Sequence, residues 1–336
     1  MKSLKNVPGW VLLVGFVCGS VSHFAVPEAT AQDSALKKPG ASAAVPVKKI
    51  LFIAGKPSHP YAQHEFNAGC TLLAKCLNGS GLPVEATVAN NGWPSDPKVF
   101  DGVNAVILYC DGGDKHMAID HLDDLEALVK KGVGMGALHF GVEVPAGRAG
   151  DDFLNAIGGF FETNWSVNPT WKADFKQLPE HPVTRGVKPF AIYDEWYFHM
   201  RFPENMAGVT PILSAVPPAS TMSRKDGPHE GNPTVRAEVS QGVPQVMAWV
   251  VQRPDGSRGF GFTGAHYHWN WGNDNFRKLV LNMICWIAKV DVPAEGVTSK
   301  TPTVDELMAN MDPKPLDAKF DREHFKQMLD EWNAAK

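Results

Sequence analysis

Residues 49–54 read KILFIA, a short apolar run of the kind expected for a strand that is buried on both faces of a sheet. Similar runs occur at residues 84–89, 105–110 and 133–138. The intervening segments carry apolar residues at helical spacing, at residues 65–77 and 120–131, and a short helical pattern follows at 151–157. This alternation predicts an α/β fold with a mostly parallel sheet and helices on both faces.

The middle of the chain has a different pattern. Residues 160–256 contain much of the Pro and Trp and several short alternating segments, such as 190–200 and 245–251. We predict that this part forms antiparallel strands and long loops, inserted in the sheet or added to it. The core pattern then resumes with a last strand at 258–265 and a last helix at 275–289.

The first 31 residues have the layout of a secretory signal peptide. Lys2 and Lys5 precede the apolar run 10–17, and Ala29 and Ala31 are the small residues before a predicted cleavage site at Gln32. We therefore expect an exported protein, periplasmic or secreted, with an uncleaved anchor as the alternative. No later segment is long and apolar enough to predict stable membrane insertion.

The rest of the chain divides into three predicted parts. Residues 32–47 are rich in Ala, Pro and Lys and are interpreted as a linker, residues 48–290 as the α/β domain, and residues 291–336 as a tail with a charged helix at about 317–332. The tail either packs on the domain or is free. The sequence leaves open whether the chain forms a homo-oligomer.

Composition excludes several classes of function. A net charge of -4 gives no electrostatic reason to expect nucleic acid as a partner. The cysteines after the leader are sparse and form no CxxC pair, which argues against a disulfide scaffold or a zinc knuckle. They are Cys70, Cys76, Cys110 and Cys285.

Four short motifs carry a resemblance to a known family. They are KILFIAG at 49–55 followed by Ser58-His59, GALHFG at 136–141, DEWY at 194–197, and GAH at 264–266 before a helix that ends in CWIA. In this order, over about residues 48–290, they resemble the ThuA-like (trehalose utilisation) family. The resemblance implies a class I glutamine amidotransferase-like, flavodoxin-like fold and a role in carbohydrate metabolism.

One position departs from the amidotransferases. Those enzymes place a nucleophilic cysteine in a G-x-C-x-G turn between strand and helix, whereas residues 137–141 here read ALHFG, with His139 in the place of the nucleophile. Without a thiolate, glutamine hydrolysis through a thioester is not expected. Residues 260–266 resemble the strand that delivers the triad histidine, which is His266 in this chain.

The candidate site follows from where parallel strands end. Ligands of open α/β sheets bind beyond the carboxyl ends of the strands, and this edge collects polar residues from several strands. We assign His139, His266 and Glu195 as catalytic residues, with the imidazoles as acid and base near neutral pH. The residues predicted to contact substrate are Asp111, Gly112, Gly113, Phe140, Tyr197, His268 and Trp269.

Alternative interpretations exist for each of these residues. Asp111-Gly112-Gly113 is equally consistent with a simple turn, and a histidine at a strand end is often only hydrogen-bonded to a loop. We expect His64 to face solvent on the first turn of a helix, and four other histidines to be surface residues: His116, His121, His181 and His229. Most tryptophans are expected in the core, with Trp165, Trp269 and Trp271 as candidate ligand contacts.

A divalent metal is the predicted cofactor. Glu195 and His199 share a face in either a strand or a helix, so they form a metal pair, an acid–base pair or a salt bridge. The candidate metal ligands are His59, His139, His199 and His266. Imidazole and carboxylate without thiolate favour Zn, Mn or Ni over Ca. No nucleotide cofactor is expected.

Three functions are compatible with these residues. The leading hypothesis is an enzyme that acts on a carbohydrate, because the family implies trehalose use and its relatives are associated with oxidised (keto-) sugars. A keto-sugar has an acidic proton beside its carbonyl, and a metal or imidazole can stabilise the enediolate while a second base removes that proton. The alternatives are a non-catalytic sugar-binding module and a metal-dependent hydrolase.

Overall fold

A seven-stranded sheet forms the centre of the computed structural model, which describes residues 45–318 and 320–334. The predicted signal peptide and most of the predicted linker lie outside these ranges, so both stay predictions. The strands in chain order are β1 (Lys48–Ala54), β2 (Val84–Ala89), β3 (Val103–Tyr109), β4 (Gly134–Leu138), β5 (Thr170–Phe175), β6 (Phe190–Glu195), β7 (Val209–Ala215), β8 (Gln245–Gln252) and β9 (Arg258–Phe262).

The main sheet has the order β2-β1-β3-β4-β9-β8-β7. The first five strands are parallel, and β8 and β7 are added antiparallel to the β9 edge. The 2-1-3-4 order is that of flavodoxin-like sheets. The predicted mostly parallel sheet is therefore confirmed, and its carboxyl ends meet at one edge.

Helices cover both faces of the sheet, as predicted. They are α1 (Phe66–Asn78), α2 (Leu122–Lys130), α3 (Arg148–Ile157), α4 (Pro233–Ser240), α5 (Asp274–Ile287), α6 (Val304–Met308) and α7 (Arg322–Ala334). Alternate residues of β1 face opposite sides. Ile50 and Phe52 belong to the core that includes α1 and α5, whereas Leu51 and Ile53 belong to the core that includes α2 and α3.

The inserted region is built of antiparallel strands and loops, as its sequence pattern predicted. β5 and β6 form a separate two-stranded antiparallel sheet. β6 ends at Glu195, earlier than the alternation over 190–200 predicted, because its partner strand begins at Thr170 opposite Glu195 and His199 has a φ of 59° that extended strands do not adopt. β9 likewise ends at Phe262, three residues early, before Ala265 with a φ of 84°.

The C-terminal tail packs on the domain. Its last helix, α7, begins at Arg322, later than the predicted 317, because the side chain of Asp321 accepts hydrogen bonds from the backbone N–H groups of Glu323 and His324 and so caps the helix there. Phe325 and Leu329 are buried in the core. None of the helices within 45–318 and 320–334 is long and apolar enough to cross a bilayer.

Candidate metal and catalytic site

Three histidines and one glutamate converge at the carboxyl edge of the sheet. His64 Nε2 lies 3.0 Å from both His139 Nε2 and His266 Nδ1, and the latter two atoms are 3.3 Å apart. Glu195 Oε2 lies 3.1 Å from His266 Nδ1 and 3.5 Å from His139 Nε2. We call these four residues the histidine cluster. The prediction that His139, His266 and Glu195 lie together agrees with this geometry.

The other ring nitrogens of two of these histidines already have partners. His139 Nδ1 lies 2.9 Å from the carbonyl oxygen of Thr263, which only accepts hydrogen bonds, so Nδ1 carries the proton and Nε2 keeps a lone pair. His64 Nδ1 lies 3.1 Å from Asp111 Oδ1, which fixes the same tautomer when the carboxylate is ionised. In the neutral rings, two lone pairs therefore face each other at 3.0 Å.

Such a contact is stable only when a proton or a cation lies between the nitrogens. A tetrahedral zinc ion with Zn–N bonds of about 2.0–2.1 Å separates its ligand atoms by about 3.4 Å. The observed separations of 3.0 to 3.5 Å around the cluster are close to that value. The partners of His64 and His139 are of the kind that orient metal-ligating imidazoles in known sites. The donor set therefore fits a divalent transition metal.

His139 occupies the turn in which amidotransferases carry their nucleophile. It follows β4 directly, begins a short 3₁₀ turn over His139–Val142, and has a φ of 51°. A left-handed residue at a strand-to-helix turn is the strained geometry of a nucleophile elbow. The elbow persists in this chain, but it presents an imidazole.

His266 is held by a buried carboxylate. Asp194, which is fully buried, accepts hydrogen bonds from the backbone N–H groups of Ala265 at 2.6 Å and His266 at 3.1 Å. Ala265 has the left-handed φ already noted, so Asp194 stabilises a turn that the backbone alone disfavours. The DEWY motif thus supplies both Asp194, which shapes the loop, and Glu195, which joins the cluster.

His64 is positioned by the loop before α1 and by the tail. Glu65, fully buried, accepts a hydrogen bond from the N–H of Asp312 at 2.8 Å and lies 3.1 Å from Lys314 Nζ. Lys314 also donates to the carbonyl of Gln63 at 2.7 Å. Contacts from the tail therefore hold the segment that carries His64 in place.

Glu195 is oriented by neutral donors. Asn168 Nδ2 donates to its Oε1 at 3.3 Å and the hydroxyl of Tyr197 donates to its Oε2 at 3.2 Å. Burial disfavours the ionised carboxylate, but the neighbouring imidazoles of His139 and His266 outweigh burial and lower the pKa of Glu195 to about 2. Burial, reinforced by Glu195, raises the pKa of Tyr197, so its hydroxyl stays a donor.

The cluster opens into a cavity of about 350 Å³, a volume at the small end of ligand-binding pockets. Its walls combine cluster residues with the loop before α4, and they include His59, Phe140, Asn168, Tyr197, Arg224 and His229. His229 Nε2 lies 2.8 Å from Oε1 of the buried Glu143. This hydrogen bond raises the pKa of His229 against the opposing effect of burial.

The other predicted site residues near the cluster have identifiable places. Asp111 accepts hydrogen bonds from Ser58 at 2.9 Å and from His64, and His59 Nδ1 lies 3.6 Å from the same oxygen. Gly112 has no room for a side chain, because a Cβ there would lie 2.3 Å from the carbonyl oxygen of Phe140. Gly113 has a φ of 66°. Both glycines therefore shape the turn beside the cluster, and Asp111 orients the imidazole of His64.

Three predicted site residues lie elsewhere. His199 Nδ1 bonds to the carbonyl of Trp165 at 2.8 Å, and its Nε2 faces Glu238 at 3.7 Å, so it does not join the histidine cluster. His268 is buried and bonds to the carbonyl of Leu307 at 2.8 Å. Trp269 stacks on Phe320 of the tail. His199 lies four residues after Glu195, and His268 and Trp269 closely follow His266. In both places the chain turns, which directs these side chains away from the cluster.

Sequence reasoning missed four residues of this region. His64 is buried and lies in the cluster, although we expected it to face solvent. His116 is also buried, contrary to the surface expectation, and His229 lines the cavity. Glu143 received no assignment, although it stands four residues after His139 in sequence. This spacing is the only sequence signal for Glu143. The other three residues are placed by loops that bring distant parts of the sequence together, so no local pattern indicates them.

The cysteines lie outside the cluster. Cys110 directly follows β3 and is buried, and burial raises the pKa of its thiol, so the reactive thiolate is disfavoured. Cys285 is buried on α5, and burial raises its pKa to about 12. Trp171 and Trp196 are buried in the core, as expected. Trp271 is also fully buried and packs against Phe276, so its prediction as a ligand contact is wrong. Trp165 stacks on His199 and beneath Arg201, away from the cavity walls described above.

The fold and site define a flavodoxin-like α/β protein with an amidotransferase-type elbow that lacks the cysteine. Residues 49–287 match the family described as ThuA, trehalose utilisation, and the chain belongs to this family. The resemblance seen in the motifs is thereby confirmed, and with it a connection to carbohydrate utilisation. No curated protein sequence matches this chain.

A solved structure of a ThuA-like protein shows the same fold. A putative ThuA-like protein from Bacteroides uniformis has a TM-score of 0.52 at 16% identity, and the similarity covers 75% of this chain and 95% of that chain. The glutaminase domain of CTPS from Trypanosoma brucei with bound acivicin has a TM-score of 0.41 at 9% identity, covering 74% and 98%. A glutamine amidotransferase from Thermotoga maritima has a TM-score of 0.39 at 10% identity, covering 72% and 98%.

Proposed function

We propose that this protein is an exported enzyme that acts on a keto-sugar, with a divalent metal held by the histidine cluster. The observation that carries the proposal is the contact at 3.0 Å between His64 Nε2 and His139 Nε2, which both keep lone pairs in the neutral rings. His266 Nδ1 also lies 3.0 Å from His64 Nε2. Three imidazoles and a carboxylate are the ligand types of Zn, Mn and Ni sites. His64, His139 and His266 would hold the metal, with Glu195 Oε2 beside them.

The metal would polarise a substrate carbonyl and offset negative charge on its oxygen. This assignment changes the role expected for His139 and His266, because an imidazole nitrogen that binds a metal has no lone pair left to accept a proton. Proton transfer then falls to other groups around the cavity. The cavity wall supplies a base, His229, and a hydrogen-bond donor, Tyr197.

His229 is the proposed base. Its Nε2 is bound to Glu143, which leaves Nδ1 as the nitrogen that exchanges a proton. The carboxylate orients the ring and stabilises its protonated form, as a buried acid does for a catalytic histidine. Tyr197 keeps its proton and donates it as a hydrogen bond beside Glu195 Oε2. Return of the removed proton to another carbon would isomerise the sugar. Alternatively, the bond from the β-carbon to the glycosidic oxygen would break as a carbon–carbon double bond forms, and the proton would pass to the departing oxygen.

The binding-module alternative has less support. Aromatic faces that stack on sugars are the signal for such a module, but Trp171, Trp196 and Trp271 are buried in the core and Trp269 packs on the tail. A cluster of titratable groups is unnecessary for binding alone. The hydrolase alternative uses the same donors, and only a reaction assay separates it from the keto-sugar enzyme.

The test measures metal and proton exchange together. Protein purified without a His tag should contain about one Zn, Mn or Ni per chain by mass spectrometry, and should exchange the proton beside the carbonyl of a 3-keto-disaccharide in D₂O, followed by NMR. The plain disaccharide is the control and should show no exchange. Absence of both metal and exchange would contradict the proposal, whereas metal with ester or amide hydrolysis and no exchange would favour the hydrolase.

A further inference from the structure

The wall of the cavity contains a cation without an acidic partner. Arg224 is half-buried and lines the same cavity as the histidine cluster. Among the ion pairs of the described residues, none within 4.0 Å involves Arg224, whereas the nearby Arg201 and Arg236 are paired with Glu162 and Asp226. A guanidinium in a partly desolvated wall gains most from an anionic partner.

The position of Arg224 is fixed by the protein. Its Nη2 donates to Asn168 Oδ1 and to the carbonyl of His229, both at 2.9 Å. Its own carbonyl accepts a hydrogen bond from Arg236 Nη2 at 2.5 Å. These contacts use one nitrogen of the guanidinium, and no hydrogen bond within the described residues uses Nε or Nη1.

A single side chain connects Arg224 to the cluster. Asn168 accepts from Arg224 through Oδ1 and donates to Glu195 Oε1 through Nδ2. The cation and the candidate metal ligands therefore lie at two points of one small cavity, separated by an amide. A ligand that reaches both must carry its carbonyl at one end and its charged group at the other.

We propose that Arg224 binds an anionic group of the substrate, a carboxylate or a phosphate, so that the enzyme takes acidic keto-sugars. This inference rests on the function proposed above and narrows its substrate class. Two acids of the cavity are already engaged, Glu195 with the cluster and Glu143 with His229. Glu230 also lines the cavity and would repel an anion, whereas Arg224 has Nε and Nη1 available to bind one.

The experiment is a calorimetric titration of the purified protein with three probes: D-gluconate, D-glucose 6-phosphate and D-glucose. We expect one of the two anions to bind and the neutral sugar to bind at least about 10-fold more weakly. Arg224→Gln should weaken binding of that anion by about 10- to 100-fold, which is the effect of losing a hydrogen-bonded charge. Lys225→Gln is the matched control, since it removes the same charge from the adjacent, exposed residue.

The two anions separate the two chemistries, because preference for gluconate identifies a carboxylate site and preference for glucose 6-phosphate a phosphate site. If Arg224→Gln fails to fold in a thermal melt, Glu230→Gln replaces it, and removal of that like charge should tighten anion binding several-fold. Equal binding of all three probes, or an unchanged affinity in Arg224→Gln, overturns the inference.

Metal content of each sample keeps this test apart from the proposed function. Protein that lacks metal but binds the anion through Arg224 contradicts the metal proposal and supports the anion site. Protein that holds its metal and shows no preference for anions leaves the metal proposal standing and overturns the anion site.

Discussion

The histidine cluster and His116 are two buried histidine environments that differ in what the ring nitrogens face. His116 donates through Nε2 to the carbonyl of Gly141 at 3.2 Å and accepts through Nδ1 from the N–H of Ala118 at 3.0 Å. Both ring nitrogens have backbone partners. A second proton on Nδ1 would face the N–H of Ala118 and would have no acceptor. In the cluster, by contrast, ring nitrogens of three histidines point at one another.

Burial does not distinguish the two environments. His116 is 2% exposed, His64 1% and His139 0%. The backbone partners of His116 give it a complete structural explanation, since buried polar groups are normally hydrogen-bonded. In the cluster, the Tyr197 hydroxyl lies 3.1 Å from His139 Nε2 and Glu195 Oε2 lies 3.1 Å from His266 Nδ1. The contact of His64 Nε2 with His139 Nε2 at 3.0 Å has no such structural explanation without a bound cation or an added proton. Convergence of ring nitrogens on one point, rather than burial or histidine count, therefore marks the candidate site.

The largest expected effect comes from removing a cluster histidine. His139→Ala and His64→Ala should each abolish stoichiometric metal binding and lower the rate of proton exchange by at least about 10²–10⁴-fold, because a ligand and the site that it completes are lost together. Metal analysis and NMR exchange on the same samples measure both.

His121→Ala is the control for these variants. His121 is half-buried, stacks on Trp93 and lies 3.2 Å from Asp124, away from the cluster. It should behave like the parent protein in both assays. If the cluster variants retain metal and activity while folding normally, the two histidine environments are equivalent and the proposed site is wrong.

A smaller effect is expected at His116, and it concerns stability. Burial lowers the pKa of His116 from 6.5 to about 4. Between these values the unfolded chain takes up a proton that the folded protein excludes, so stability is full above the unfolded pKa and falls as the pH drops toward 4. His116 should therefore contribute a loss of about 2 kcal/mol between pH 7 and pH 5.

His116→Gln tests this contribution. The variant retains a side-chain donor but has no group that titrates in this range, so urea denaturation should show a flatter loss of stability from pH 7 to pH 5 than in the parent. The difference between variant and parent is the quantity to compare, because other groups titrate as well. An identical pH dependence in the two proteins would show that His116 is not the pH-sensitive buried group. Metal content should not change.

The sheet and the part of the site formed by His139, His266 and Glu195 are predictable from the sequence, for a physical reason. Apolar runs and helical spacing are local signals, and the parallel topology then brings every strand end to one edge, which places His139 and His266 together. Glu195 was also predicted, because it stands in the DEWY motif. These residues lie at strand ends or in short motifs, and both features can be recognised in the sequence.

The rest of the site depends on loops. His64 has a φ of 49°, a conformation that turns it inward and that no propensity predicts. Its position also depends on Glu65 and Lys314, which are about 250 residues apart along the chain. His199 was expected beside Glu195 from an alternating pattern, but the strand ends between them. Loop closure and left-handed residues are tertiary effects, so sequence patterns miss them.

The smallest expected effect concerns the hydrogen bond between Asp111 and His64, which directs a ring nitrogen into the cluster. Asp111 accepts from His64 Nδ1 and so fixes the tautomer whose Nε2 faces the cluster. Asp111→Asn keeps an oxygen at this position but removes the negative charge that makes the imidazole a better ligand. Partners of metal ligands typically contribute about 10- to 100-fold in metal affinity, so we expect a loss of that size, measured by competition with a chromophoric chelator.

Asp114→Asn removes an exposed carboxylate from the same loop and is the matched control. Because the amide can also present its NH₂ to His64, the variant should bind metal in a more pH-dependent manner, as part of the population adopts the other tautomer. Equal losses in both variants would show that the loop charge matters only through long-range attraction of the cation. An unchanged affinity in Asp111→Asn would mean that His64 needs no partner to hold its tautomer, and the distinction between satisfied and converging nitrogens would then lose its strongest support at this residue.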